Sequence, residues 1–228
     1  IPSVNPSSWA VASAMTLWAA LVAFFDETSR NRRIALATIA VVMTIAASGA
    51  RGDAAAYSVL AVVVAAIVAI DRLRLRSPRW WLSVGAVPLL IVVIAAVFFL
   101  TAGQSSVISP ETSPGGDKSV GQLIGLTVAN LVLLPQLWAG AFGTWGLGWL
   151  DTALPGTVWV SMLVGFAGLL FWGLQRLDRR KAVALILVFA SLIVIPLYVL
   201  VKDNLIVGAA VQPRYVFPLI IMLVGLAL

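Results

Sequence analysis

The sequence predicts an all-α protein, a polytopic transmembrane helix bundle of about seven spans plus one outer interfacial or re-entrant helix. Its residues are 61% hydrophobic and only 11% charged, a composition too apolar for the wetted surface of a soluble domain. Of its 15 Lys and Arg residues, eleven lie in three short segments between long apolar runs, at 26–33, 71–80 and 175–181. Because basic residues collect on the cytoplasmic side of a bilayer, these segments predict both a membrane location and an orientation.

Six apolar runs approach the length of about 20 residues that a spanning helix needs, and a seventh run begins near the end of the chain. Backbone polar groups in hydrocarbon must bond within their own segment, so each run is predicted to be a helix despite its many Val and Ile residues. The predicted spans are Trp9–Phe25, Ile34–Ala50, Ala54–Ile70, Trp81–Leu100, Thr157–Leu174, Ala182–Val201 and the start of a further one at Tyr215–Leu228.

The apolar stretch Val120–Phe142 is predicted to lie along the outer interface or to re-enter the membrane without crossing it. If it crossed, the basic cluster at 175–181 would face the outside, against the charge rule. Asn130, Pro135 and Gln136 also interrupt its apolar surface. All three basic segments then face the cytoplasm and the N-terminus of the chain lies outside, so any chemistry is expected on the outer face.

One transmembrane domain is expected over residues 1–228, with an extracytoplasmic insert at 101–156. The chain begins without Met and stops within an apolar run, so it is expected to be a fragment truncated at both ends. It has no Cys and no His, which excludes disulfides and the usual zinc and haem ligand sets. The basic residues flank spans, so no nucleic-acid partner is expected and membrane lipid is the predicted partner.

The segment Gly143–Pro155 carries two tryptophans and one carboxylate just before a predicted span. In one interpretation it is an interfacial anchor, with Trp145 and Trp149 at the headgroup level and Asp151 or Thr152 capping a short helix. In the other, the two indole rings form an apolar or sugar-stacking wall, and Asp151 bonds a hydroxyl or orients a cation. The segment alone does not choose between these interpretations.

A cation and a phenol stand at the outer start of the last predicted span, in the run Gln212–Pro218. The guanidinium of Arg214 can hold a phosphate through two parallel hydrogen bonds, and Tyr215 can add a further donor. This arrangement suits a lipid phosphate. The alternative is an interface anchor in which Arg214 reaches ordinary headgroups, and both interpretations remain open.

The triplet Arg51-Gly-Asp53 closes a short outer hairpin between two predicted spans. A local ion pair across the turn explains both charges, and exposed pairs of this kind contribute about 0–1 kcal/mol. The alternative role of Arg51 is to assist a bound ligand with its charge.

Two short runs carry a resemblance to a known family. Residues Gly148–Pro155 read Gly-Trp-Leu-Asp-Thr-Ala-Leu-Pro, and residues Gln212–Leu219 read Gln-Pro-Arg-Tyr-Val-Phe-Pro-Leu. In order and spacing they resemble the bacterial polytopic membrane family called domain of unknown function 2142. The chain departs from the family pattern at Ala153, where proline is usual, and at Pro213, where glycine is usual. The residues that match the pattern are Asp151, Arg214 and Tyr215.

This family is similar to GT-C glycosyltransferases, multispan enzymes that transfer a sugar from a polyprenyl-phosphate donor outside the cytoplasm. The resemblance implies the C-terminal part of such a protein in the bacterial plasma membrane, active in cell-envelope glycan assembly. Their acidic catalytic residue sits in the first outer loop, which this chain lacks, so that residue and any divalent metal would lie upstream. No catalytic residue, metal ligand or cofactor is therefore assigned to this chain.

The residues predicted to bind substrate come from the three segments described above. They are Arg214, Tyr215, Asp151, Trp149, Trp145, Gln212 and Arg51. Whether the chain is part of an enzyme stays open at this point. The alternatives are a component of a lipid-linked glycan transporter or flippase, and a non-catalytic membrane scaffold.

Overall fold

The protein is an all-α, multi-pass membrane protein. The computed structural model describes residues 6–74, 78–101, 119–145, 154–208 and 211–228, and the side chains of these residues except those of 6–7, 71–74 and 78–83. Within these ranges the chain forms helices and turns and no strand. Seven of the described helices are long and apolar enough to cross a membrane, and one shorter apolar helix follows them. The predicted fold class is confirmed.

Each of the six full spans predicted from the sequence falls inside one observed helix. The helices are α1 (Pro6–Asp26), α2 (Arg30–Ala50), α3 (Gly52–Arg74), α4 (Pro78–Thr101), α5 (Val120–Ala139), α6 (Gly156–Leu174), α7 (Arg179–Lys202) and α8 (Phe217–Ala227). A π-helical turn, Gly140–Thr144, continues α5, and a 3-10 turn, Pro213–Tyr215, precedes α8.

By its contacts the chain divides into two compact units. The first unit comprises Ile1–Ser105 together with Asp178–Ala184, and the second comprises Ser106–Leu177 together with Leu185–Leu228. The sequence prediction of one transmembrane domain with an insert at 101–156 stays a prediction.

In the first unit, α1 packs against α2 and α3, and α4 packs against the same two helices. Small residues permit this close approach, because Ala10, Ala47 and Ala54 form a buried cluster with Ala50 beside it. Helix α2 ends at Ala50, and the chain passes through Arg51 into α3 without a longer loop.

In the second unit, a capping box starts α5. The hydroxyl of Ser119 accepts a hydrogen bond from the Gln122 N–H at 3.3 Å, and the Gln122 side chain accepts one from the Ser119 N–H at 3.1 Å. The other end of α5 is held to its neighbours. Trp138 Nε1 donates to the Leu192 carbonyl of α7 at 3.2 Å, and Phe142 meets Phe166 of α6 edge-on with ring centroids 4.9 Å apart.

Helix α5 covers the stretch that was predicted to be interfacial or re-entrant. With its π-helical turn it forms a continuous run, Val120–Thr144, of sufficient length and apolarity to cross a membrane. Large apolar side chains such as Ile124, Val128 and Val132 are exposed along one face. Length and composition thus permit a span, and the predicted interfacial or re-entrant position stays a prediction.

Candidate functional site

The run Gln212–Tyr215 lies directly before α8. Pro213 occupies the first position of the 3-10 turn, where its fixed φ angle and missing N–H carry no cost. The Tyr215 N–H donates to the Gln212 carbonyl at 3.0 Å, and the Val216 N–H donates to the Pro213 carbonyl at 3.2 Å. Proline at this position, a departure from the family pattern noted above, therefore suits the local backbone.

Asn130 of α5 fixes the loop that leads from α7 into this turn. Its side chain is fully buried, and its Nδ2 donates to the Leu205 carbonyl at 2.9 Å. Its Oδ1 accepts from the Val207 N–H, also at 2.9 Å. The amide of this one side chain thus satisfies two backbone groups that lie more than 70 residues away in sequence. Asn130 holds the loop against α5 at this point.

Gly140 brings the 3-10 turn against the end of α5. A Cβ atom built on Gly140 would lie 2.5 Å from Pro213 Cγ and 3.3 Å from Trp145 Cδ2, so the absence of a side chain permits both contacts. A Cβ atom built on Gly208 would lie 3.7 Å from Trp145 Cη2. Trp145 therefore packs between the end of α5 and the loop before α8.

Gly143 makes the chain reverse at the end of α5. Its φ angle is +98°, in the left-handed region that favours glycine, and the Leu154 N–H donates to its carbonyl at 3.1 Å. This reversal lets Trp145, only two residues later, fold back towards Gly140. Two segments that the sequence singled out separately, one with Trp145 and one with Gln212–Tyr215, thus meet within the second unit.

Two polar atoms of this site are buried and form no hydrogen bond with any residue that the structure describes. They are Arg214 Nε and Gln212 Oε1. The Arg214 guanidinium carbon lies 5.6 Å from the centroid of the Tyr215 ring, within the range of a cation–π contact. An unpaired buried polar group costs about 1–3 kcal/mol, so a hydrogen-bonding partner for either atom would be stabilising.

The remaining predicted site residues are Trp149, Asp151 and Arg51. Trp149 and Asp151 fall outside the described residues. Arg51 belongs to the first unit, where its Nε and Nη2 donate to the two carboxylate oxygens of Asp53 at 2.9 and 2.6 Å. The local ion pair that the sequence suggested is therefore present. A role of Arg51 towards a ligand stays a prediction.

Sequence reasoning missed two residues of the site, Asn130 and Gly140. Asn130 was recognised only as an interruption of an apolar run, although a buried amide in such a run needs a hydrogen-bonding partner. No comparable signal marked Gly140, because its importance depends on Pro213, which lies far away in sequence. Among the described residues, no group of three or more carboxylates could hold a metal ion.

A comparison with protein families gives a match over nearly the whole chain. The profile of a family described as predicted membrane protein (DUF2142) matches residues 1–223. The chain belongs to the DUF2142 family. A search of the curated proteins and of the solved structures finds no match to the chain. DUF2142 membership agrees with the seven apolar helices, and it agrees with the resemblance carried by the runs Gly148–Pro155 and Gln212–Leu219.

Proposed function

We propose that this DUF2142 chain is the C-terminal membrane portion of a GT-C-like glycosyltransferase. The enzyme would take a sugar from a polyprenyl-phosphate donor and use it in cell-envelope glycan assembly. The observation that carries this proposal is Arg214, whose buried Nε has no partner among the described residues and whose guanidinium carbon lies 5.6 Å from the centroid of the Tyr215 ring. A guanidinium in such surroundings suits a phosphate, which takes two parallel hydrogen bonds from it.

The role of Arg214 in this reaction is electrostatic. When the bond between the sugar and the donor phosphate breaks, negative charge grows on the departing polyprenyl phosphate. A cation already in position stabilises that charge without any reorganisation of solvent. Tyr215 adds a hydroxyl donor, and the ring of Trp145 offers a flat apolar face to the sugar. The acidic base, and any divalent metal, would come from residues upstream of this chain.

The proposal includes a location and an orientation. The protein would lie in the bacterial plasma membrane with the basic segments in the cytoplasm and the N-terminus of this chain outside. The site before α8 would then face the outside, where lipid-linked sugar donors are consumed. The lipid partner follows from the same reasoning, since the phosphate would arrive on a polyprenyl chain from the bilayer.

The test is sugar transfer by the full-length parent protein in proteoliposomes, with radiolabelled polyprenyl-phosphate sugars as donors. Removing a guanidinium from a desolvated phosphate site costs about 2–5 kcal/mol, so Arg214→Ala is expected to slow transfer at least 30-fold. Arg214→Lys keeps the charge but loses the paired hydrogen bonds, so its transfer rate should lie between those of wild type and Arg214→Ala. Arg32→Ala, which removes an exposed arginine from the first turn of α2, is the matched control and should transfer at the wild-type rate.

A wild-type protein that transfers sugar from none of these donors would contradict the proposal. Flipping of the same lipids across the vesicle membrane, lost in Arg214→Ala, would then favour a transporter or flippase component. Wild-type transfer that survives in Arg214→Ala would remove Arg214 from the mechanism. If the wild-type protein neither transfers sugar nor flips lipid, a non-catalytic scaffold is favoured.

A further inference from the structure

Gln212 carries the second unpaired atom of the site, and it differs from Arg214 in kind. Arg214 Nε is a donor that needs an acceptor, whereas Gln212 Oε1 is an acceptor that needs a donor. Both are buried and both form no hydrogen bond with the residues that the structure describes. A bare phosphate dianion offers acceptors only, so it can satisfy Arg214 but not Gln212.

The two residues are close enough to serve one ligand. They are separated only by Pro213, whose position is fixed by its contact with Gly140. Consecutive Cα atoms lie about 3.8 Å apart, so residues two positions apart are within the length of one sugar phosphate. The ring of Trp145 lies against the same turn.

We infer that Gln212 binds a hydroxyl group that the ligand carries next to the phosphate held by Arg214. The inference rests on the proposed function, because it assigns the phosphate to Arg214. The hydroxyl donates to the buried Oε1, which a phosphate oxygen cannot do. The ligand class is therefore a hydroxyl-bearing phosphate ester, a glycosyl phosphate, rather than a phosphate monoester alone.

The experiment measures binding rather than turnover. The full-length protein in nanodiscs is titrated with a polyprenyl phosphate, with the glucosyl derivative of the same lipid, and with soluble glucose 1-phosphate. The test variant is Gln212→Met, which keeps the length of the side chain and removes its polar group. One hydrogen bond to a buried group corresponds to about tenfold in affinity. Wild type should prefer the glucosyl lipid over the bare lipid by about this factor, and Gln212→Met should lose the preference while it binds the bare lipid as before.

A ligand-free measurement supplies an independent check. Replacing an unpaired buried acceptor with an apolar group of the same shape should leave the unfolding temperature unchanged or raise it. If water or another protein group satisfies Oε1, Gln212→Met should instead unfold at a lower temperature and show equal affinity losses for both lipids. That result would overturn the inference.

The outcomes separate this inference from the proposed function. Preference for the glucosyl lipid that depends on Gln212, in a protein that transfers no sugar, would support the inference and contradict the transferase. The same dependence with glucose 1-phosphate, but with no lipid binding, would support the hydroxyl contact and contradict a lipid donor. Equal binding of both lipids by wild type, or binding of none of the three ligands, would overturn the inference.

Discussion

Replacing Asn130 with leucine should release the loop that carries the site. The Asn130 side chain is fully buried and pairs with the Leu205 carbonyl and the Val207 N–H, both at 2.9 Å. Leucine has a similar shape but no polar atom, so both backbone groups lose their partner. An unsatisfied buried group costs about 1–3 kcal/mol, which puts the loss for the two at about 2 kcal/mol or more.

Amide hydrogen exchange measures the loss of local stability in this loop. If the loop opens about 2 kcal/mol more easily, the Val207 amide should exchange about 30-fold faster in Asn130→Leu than in wild type. The matched control is Thr127→Val on the same helix. The Thr127 hydroxyl is exposed and donates within its own helix, to the Leu123 carbonyl, so its loss should leave the Val207 amide unaffected. Unchanged exchange of Val207 in Asn130→Leu would refute the reasoning.

Two further predictions concern packing and pH. Gly140→Ala should weaken ligand binding and lower the free energy of unfolding by about 1–3 kcal/mol, because the new methyl group collides with Pro213. The control is Gly125→Ala in α5, where a new Cβ atom meets no described atom within 4 Å. Thermal unfolding should show this control to be neutral or stabilising. The Ser29 N–H, which donates to the Glu27 carboxylate at 2.8 Å, holds the Glu27 pKa below its ordinary 4.5. The stability that this group contributes is therefore present above pH 4.5 and lost as the pH falls through the lowered pKa. On acidification, the unfolding temperature of wild type should fall further than that of Glu27→Gln. Equal falls would contradict the lowered pKa of Glu27.

The helices could be predicted from the sequence because the hydrocarbon of a bilayer offers backbone groups no hydrogen-bonding partner. In hydrocarbon every backbone group must be satisfied within its own segment, so a long apolar run is a helix whatever its local propensity. This is why Ile34–Ala50, with its many β-branched residues, was correctly predicted inside α2. The same argument predicted a span that begins at Tyr215, two residues before α8 starts at Phe217.

The arrangement of the site could not be predicted, because it depends on contacts between segments distant in sequence. Asn130 pairs with residues 75 and 77 positions later, and Gly140 meets Pro213. Hydrophobic pattern carries no information about such pairs. A buried amide within an apolar run does indicate that a partner exists, but it does not say which one. The meeting of Trp145 with the turn before α8 follows from these contacts.

The position of α5 decides which side of the membrane the second half of the chain faces. Five of the described helices, α2 to α6, lie between the turn at residues 27–29 and the turn at residues 175–178. If all five cross the membrane, the two turns lie on opposite sides. If α5 does not cross, four crossings bring them to the same side, as the basic clusters beside both turns predict.

Cysteine labelling of the two turns distinguishes these two cases. The chain contains no Cys, so single cysteines report cleanly. Thr28→Cys and Leu177→Cys lie at exposed positions in the two turns. A membrane-impermeant thiol reagent added from one side should label both or neither. Labelling of one alone would mean that α5 crosses the membrane, so that the charge rule fails for the cluster at 175–181.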